Sequence, residues 1–560
     1  MGSKITLSPS NLVAMKRFND ANEQFTPEEL KFLSRFVSNP DGEVFAIYSN
    51  ELPGLPGAIF ARYSRAPGGF RRTLLREFTK NGEIQVGKAD SLIQRVLIAF
   101  GDDSVGELEG AHLALENISN LATKVIEDRR IGLSPIEQSS RYVIYDQRDD
   151  QGRWRYLRPA EIINSPHGDF YCETMDRIFD TYAELIEIAK KHLGTQHPLS
   201  VMQYAVRKGR GKQNFDELKA EDERKDFQRT YKTDLHTRAC DAIRVLLPAA
   251  TLTNVGLFGI GRGYQHMLSN LYSHPLSEMQ ELAKQGHEAL NQVMPRYVER
   301  ATPNQYWINN RQNMDKLAAE LTPNSTQIRD GQYVALLPEL DLETSTVAQM
   351  LFPHCELTSE QLRDLIQKNP ELTERITQTY CGDRQSRRDK PGRALEDGYP
   401  IKFEIQGDFG IYRDLHRHRM LTQERQRLTP YLGFGKLAPL VSEIGAEKRI
   451  DECIELSTQL YERLRKEFGP DTAQYAVLFG HNIRWTMGMN IREAMHLLEL
   501  RTIPQGHWSY RLVAQEMHRQ LTERYPMFGK TMKFVDYNEY NAPRADSESR
   551  QRQKEAQLEK

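Results

Sequence analysis

The chain of 560 residues is short of most features that would mark it for a special environment. Cysteine is scarce, with five scattered at 172, 240, 355, 381 and 453 and no Cys-x-x-Cys pair. That spacing excludes a zinc knuckle and a dithiol motif and fits a reduced, cytoplasmic setting. A charge excess is missing too: 75 basic against 77 acidic residues leave a net charge of -2. No overall basic field exists to hold DNA or a membrane surface. Long apolar runs are absent, and no window approaches the roughly 20 apolar residues of a membrane span. The opening MGSKITLSPSNLVAMKRFND lacks the continuous apolar core of a signal peptide. His274 and His507 have no partners at metal-site intervals, so no metal is expected.

What is present reads as a helix-rich soluble protein, at 39% hydrophobic and 27% charged residues. SLIQRVLIAF and DRIFDTYAELIEIAKKHL carry apolar residues at helical spacing; in the second these are Ile178, Phe179, Tyr182, Leu185, Ile186 and Ala189. Gly194 is the expected stop. Strand-like runs are EVFAIYS, RYVIYD and PIKFEI. Helix with some strand predicts an α+β class. GIGRGY breaks the GxGxxG fingerprint at Tyr264 and reads as a close-packed helix start.

An internal repeat organises the chain. An apolar helix leads into RRIGLSPIEQSSRYV from Arg129, and the same order recurs at HRHRMLTQERQRLTPY from His416. GIGRGYQHMLSNLY, from Gly259, parallels GMNIREAMHLLELR, from Gly488. Aligning Arg129 with Arg417 sets one offset and aligning Gly261 with Asn490 another. The difference matches a charged insertion in the first copy. The expected organisation is an N-terminal helical extension over 1–45, a first domain over 46–310 with the insertion at about 195–235, a linker over 311–330, a second domain over 331–543, and a charged mobile tail over 544–560.

The two loops carry the candidate chemistry. Arg417-His418-Arg419 puts two guanidiniums around an imidazole, and a guanidinium is a planar fork suited to phosphate oxygens. Alone, such a tripeptide is most often a solvated basic face. Seven residues after Arg129-Arg130-Ile131 comes Ser139, followed by Ser140, Arg141 and Tyr142, with Glu137 two residues before the serine. A loop of this type can present backbone N–H groups, a hydroxyl and a guanidinium to one phosphate.

Taken together these segments resemble the flavin-dependent thymidylate synthase family, whose signature is Arg-His-Arg, seven residues, then Ser-x-Arg-Tyr. Each copy has lost a different part. The second keeps Arg417, His418 and Arg419 but has Arg427, Thr429 and Pro430 where the serine, arginine and tyrosine belong. The first keeps Ser139, Arg141 and Tyr142. RVLLPAATLTNV resembles the family's Arg-x-x-Leu-Pro segment and supplies Arg244. NIREAMHLLELR resembles its Asn-x-Arg helix and supplies Asn490, Arg492 and Arg501. FGDDSVGELEGAH matches a further segment, with Asp102 and Leu108 where the family has histidines.

The resemblance implies two tandem domains of the thymidylate-synthase-complementing type, helix-rich with small antiparallel sheets. It implies transfer of a one-carbon unit from methylenetetrahydrofolate to dUMP or a related pyrimidine nucleotide. Reduced FAD would supply the hydride and NADPH would recharge it. Ser139 and Arg501 would be catalytic. Glu137, Ser139, Ser140, Arg141, Arg244 and Arg501 would hold the nucleotide, and Arg129, Arg417, His418, Arg419, Asn490 and Arg492 the FAD. Because the family works as a tetramer of single copies, a homodimer of the two-copy chain is expected. The competing expectation is a non-catalytic nucleotide- or flavin-binding scaffold that keeps the fold with decayed sites.

Overall fold

The computed structural model describes residues 24–52, 54–63, 68–80, 82–85, 106–128, 131–206, 211–323, 331–338, 342–385, 389, 391–396 and 399–539. SLIQRVLIAF, Asp102, Arg129 and the tail lie outside them. In chain order the principal elements are β1 (Gly110–Ser119), α1 (Asn120–Glu127), β2 (Leu133–Glu137), α2 (Gly168–Gln196), α3 (Glu221–Ile243), β3 (Leu252–Ile260), α4 (Gly261–Tyr272), α5 (Gln305–Leu321), β4 (Tyr333–Leu336), β5 (Ile401–Asp408), α6 (Phe409–Leu415), β6 (Leu421–Arg425), α7 (Glu447–Phe468), β7 (Asn482–Met489), α8 (Ile491–Arg501) and α9 (Trp508–Arg524). Helices with small antiparallel sheets make the class α+β. No described helix is long and apolar enough to cross a membrane.

The chain forms two compact units, each from separate segments. The first comprises 1–116, 125–137 and 254–304. Its sheet has the order β1-β3-β2, and β2 pairs antiparallel with β3 from Leu133↔Gly259 to Glu137↔Val255. Burial alternates along β3, so one face of that strand is covered. GIGRGY opens α4 under tight packing: a Cβ on Gly263 would lie 2.7 Å from the carbonyl oxygen of Gly132.

The second unit comprises 117–124, 138–253 and 305–560. Its sheet has the order β6-β7-β5-β4, with every pair antiparallel. All residues of β7 are buried, so that strand is covered on both faces. The expected helix around Ile178 is α2, and its six apolar positions are buried. It continues through Gly194 and ends at His197, because Pro198 cannot extend it. RYVIYD is not a strand: the N–H groups of Tyr142 and Val143 both return to the Ser139 carbonyl, a turn that breaks extended pairing. The charged insertion is not wholly exposed either. Tyr204, Val206, Leu218 and Phe227 bury a small cluster of their own, and α3 grows from it.

The repeat is visible in the backbone. Ser119 and Asp408 cap α1 and α6, accepting from the N–H of Ala122 at 3.0 Å and of Ile411 at 2.8 Å. Pro248 and Leu478 form an antiparallel bridge. Around it the bonds are reciprocal: Ala249 N–H to Val477 O and Phe479 N–H to Leu247 O, then Ala250 N–H to Tyr475 O and Gly480 N–H to Val245 O. Such exchange is the mark of a local two-fold relation between duplicates. It sets the second offset one residue away from the Gly261–Asn490 alignment. Ile260 and Asn490 are the two equivalent N-cap residues, so Arg262, not Gly263, stands opposite Arg492.

Candidate functional site

Within the second unit, α3 and the loop after β2 meet α6, α8 and α9. Ser139 opens the loop with a local turn, its hydroxyl accepting from the N–H of Arg141 at 3.3 Å. Ser140 is buried, and its hydroxyl accepts from Arg413 Nη1 at 3.1 Å. Arg141 is gripped by Asp241 of α3 through a two-bond fork, Nε–Oδ1 at 2.8 Å and Nη2–Oδ2 at 2.9 Å. Burial works against the charge, but Asp241, Asp414 and Tyr510 outweigh it and raise the guanidinium's pKa. Arg244, 3% exposed, pairs with Asp414 of α6 at 3.2 Å. Burial disfavours the Asp414 carboxylate, yet Arg244, Arg141 and Arg417 hold it below the usual range.

His418 is buried between two partners from α8. Its Nε2 accepts from Arg501 Nε at 2.9 Å, and its Nδ1 faces Glu493 Oε1 at 2.8 Å. Since Nε2 is an acceptor, the proton must sit on Nδ1, and the ring is neutral. Burial, with Arg501 close by, accordingly pushes its pKa down against the opposing pull of Glu493. Arg501 also lies over the Tyr510 ring, 6.0 Å from its centre, while Arg141 lies 5.8 Å from the same ring. Tyr510 thus joins the serine loop of the first copy to the Arg417-His418-Arg419 loop of the second.

Arg501 differs from its neighbours in one respect. No carboxylate lies within ion-pair distance of it among the described residues, and its pKa is lowered by burial. Asp414 and Tyr510 pull the other way, but a half-buried cation whose direct hydrogen bond is to an imidazole gains from an anion that joins it.

The remaining predicted residues fall outside this cluster. Glu137 is buried at the end of β2. Arg417, Arg419 and Arg492 are exposed. Asn490 is exposed and caps α8, accepting from the N–H of Glu493 at 2.9 Å. Leu421 pairs with Met489, so the loop before β6 and the start of α8 adjoin at one end of the sheet.

Sequence reasoning missed Asp241, Arg413, Asp414, Glu493 and Tyr510. A signal existed for some. Asp241 stands three residues before Arg244, and Glu493 three after Asn490, so each shares a helical face with a residue already singled out. His507, read as a surface or core histidine, is buried: Nε2 meets the Asp241 carbonyl at 3.1 Å and Nδ1 meets the Ser509 hydroxyl at 2.6 Å. Burial and Arg244 push its pKa down to about 3. Asp408, which shares a small cleft with Arg244 and His507, is pushed up to about 6 by burial despite Arg244.

The chain is similar to known proteins along most of its length. A UPF0159 protein of Chlamydia pneumoniae is 36% identical over 550 residues, covering 94% of this chain and 98% of that protein. A UPF0159 protein of Thermoplasma acidophilum is 30% identical over 503 residues, covering 88% and 98%. Among solved structures, a UMP/dUMP methylase PolB from Streptomyces cacaoi bound with 5-Br dUMP aligns with 37% of this chain and 96% of its own, at 15% identity and a TM-score of 0.22. The thymidylate synthase complementing protein family matches residues 60–296 and 386–527, segments that contain both loops and the helices packed behind them. With that match spanning both halves of the duplicated chain, the protein belongs to the thymidylate synthase complementing protein family.

Proposed function

We propose that the chain is a flavin-dependent thymidylate synthase-type enzyme that methylates dUMP or a closely related pyrimidine nucleotide. The observation that carries this reading is Arg501, a half-buried guanidinium bonded to the His418 imidazole with no carboxylate in ion-pair distance among the described residues, beside a serine loop and further arginines. A nucleotide supplies the missing negative charge, through its phosphate or through charge developing on the pyrimidine ring. In this reading Ser139, Ser140 and Arg141 position the phosphate with Arg244. Asp241 and Asp414 orient their arginines without neutralising Arg501. Ser139 and Arg501 face the reacting base.

For FAD, the donor chemistry fits. Arg417, Arg419 and Arg492 expose guanidiniums at adjoining chain segments, as a pyrophosphate requires. Arg417, Arg419, Asn490 and Arg492 would hold the cofactor, with His418 behind them and Arg129 from the first copy. Bound FAD would supply hydride chemistry, with methylenetetrahydrofolate as the one-carbon donor and NADPH as reductant.

The test is spectroscopic. Purified protein is expected to show an absorbance band near ~450 nm from oxidised flavin, and deoxyuridylate is expected to change the reoxidation rate of the reduced flavin. A colourless protein that also fails to take up added FAD would overturn this reading in favour of a scaffold.

A further inference from the structure

We propose that the second copy's loop is a sealed site, in which the chain's own side chains fill the place a nucleotide phosphate takes in the first, so that each chain binds one nucleotide, not two. This rests on the nucleotide reading above. Strand register fixes the correspondence: Leu133 pairs with Gly259 and Leu421 with Met489, which puts Arg427 opposite Ser139, Leu428 opposite Ser140 and Thr429 opposite Arg141, and the N-caps Ile260 and Asn490 put Asp471 opposite Asp241 and Gln474 opposite Arg244.

The aspartate persists in both copies, but its arginine has moved. In the first copy Asp241 is gripped from the third loop position, by Arg141, which leaves the first two positions to serines. In the second, Asp471 is gripped from the first position. Arg427 Nε meets Asp471 Oδ1 at 3.1 Å, and Nη2 meets Oδ2 at 3.4 Å. The hydroxyl that would meet a phosphate is therefore replaced by a guanidinium already engaged.

Three further features close the loop. Asp315 of α5 takes Arg427 Nη2 at 2.7 Å and holds His354 Nδ1 at 2.7 Å. Arg311, also of α5, lies 3.8 Å from Asp471. The helix that follows the first copy thus lies against the loop of the second, and its Asp315 and Arg311 answer the charges of Arg427 and Asp471 internally. Gln474 accepts from the N–H of Leu428 at 3.0 Å, so a loop donor that an anion would need is used internally. Leu428 is fully buried and offers no hydroxyl. Asp315 stays ionised down to about 2, since His354 and Arg427 outweigh its burial.

The experiment is a binding titration of dUMP against the full chain at known flavin content, by equilibrium dialysis, with Arg427→Lys and Asp315→Asn alongside. Saturation at one dUMP per chain, with both variants within twofold of the parent affinity and the same endpoint, is the expected result. Two dUMP per chain, or loss of binding sites on changing Arg427, would overturn the sealed site while leaving the nucleotide reading intact. No dUMP binding by the parent chain would overturn both. Asp315→Asn removes a charge with little change of shape, so the comparison survives if Arg427→Lys folds poorly.

Discussion

Replacing Arg501 by methionine should move binding and stability in opposite directions. Arg501 sits against His418 and Tyr510 and pairs with no carboxylate among the described residues. Burial lowers its pKa against the pull of Tyr510 and Asp414, so an apolar side chain of similar length should leave the fold as stable or more so. The ligand then loses a charge-assisted contact of about 1.5–3 kcal/mol. That corresponds to roughly ten- to a hundredfold weaker dUMP binding. Arg244 provides the opposite case. It is buried and paired with Asp414 at 3.2 Å, so Arg244→Met removes the strongest of the cations that hold this carboxylate and should cost about 3 kcal/mol of stability. The assay is thermal unfolding of the parent and both variants, followed by dUMP titration of the folded protein. If Arg501→Met lowers the unfolding temperature as much as Arg244→Met while dUMP affinity is unchanged, Arg501 is a structural residue and the argument from its missing partner fails.

Arg417→Ala and Arg419→Ala should each retain less flavin on dilution, by roughly ten- to a hundredfold in affinity for one charge-assisted contact; full occupancy in both would remove this loop from the flavin site. Acid should destabilise the fold through His507, whose pKa of about 3 lies below the ordinary 6.5. For a base with a depressed folded pKa, that stability is complete above about pH 6.5 and is lost as pH falls toward 3, about 2.7 kcal/mol at pH 4.5. His507→Asn keeps an N-cap side chain and removes the titration, so its unfolding temperature should fall less between pH 7 and 4.5 than the parent's; equal falls would refute the assignment. Light scattering should give a dimer of the two-copy chain, and an active monomer at working concentration would contradict it.

The candidate site was partly legible because the residues that compose it are local in sequence. Arg-His-Arg and Ser-Ser-Arg-Tyr are contiguous, and a loop's donors must come from neighbouring residues to converge on one anion. The helix from Gly168 was legible because a single apolar stripe fixes its period. The repeat was legible in outline, but its second register was off by one, since helices tolerate a shifted alignment of apolar positions whereas N-caps and a bridge do not. RYVIYD misled because its alternation is shared by a strand and by a turn folded back on Ser139.

What the sequence determined by itself was the family, the duplicated plan and the residue types at each loop. Only the tertiary structure decided which charges are already answered. Arg141 and Arg427 look equally available in the sequence, yet both are held by aspartates far along the chain. Arg501 looks like one more arginine in a helix, yet no described carboxylate pairs with it. Pairing of charges across distant stretches of the chain depends on which helices pack together, and packing is set by burial of apolar faces that carry no record of the polar partners they bring along.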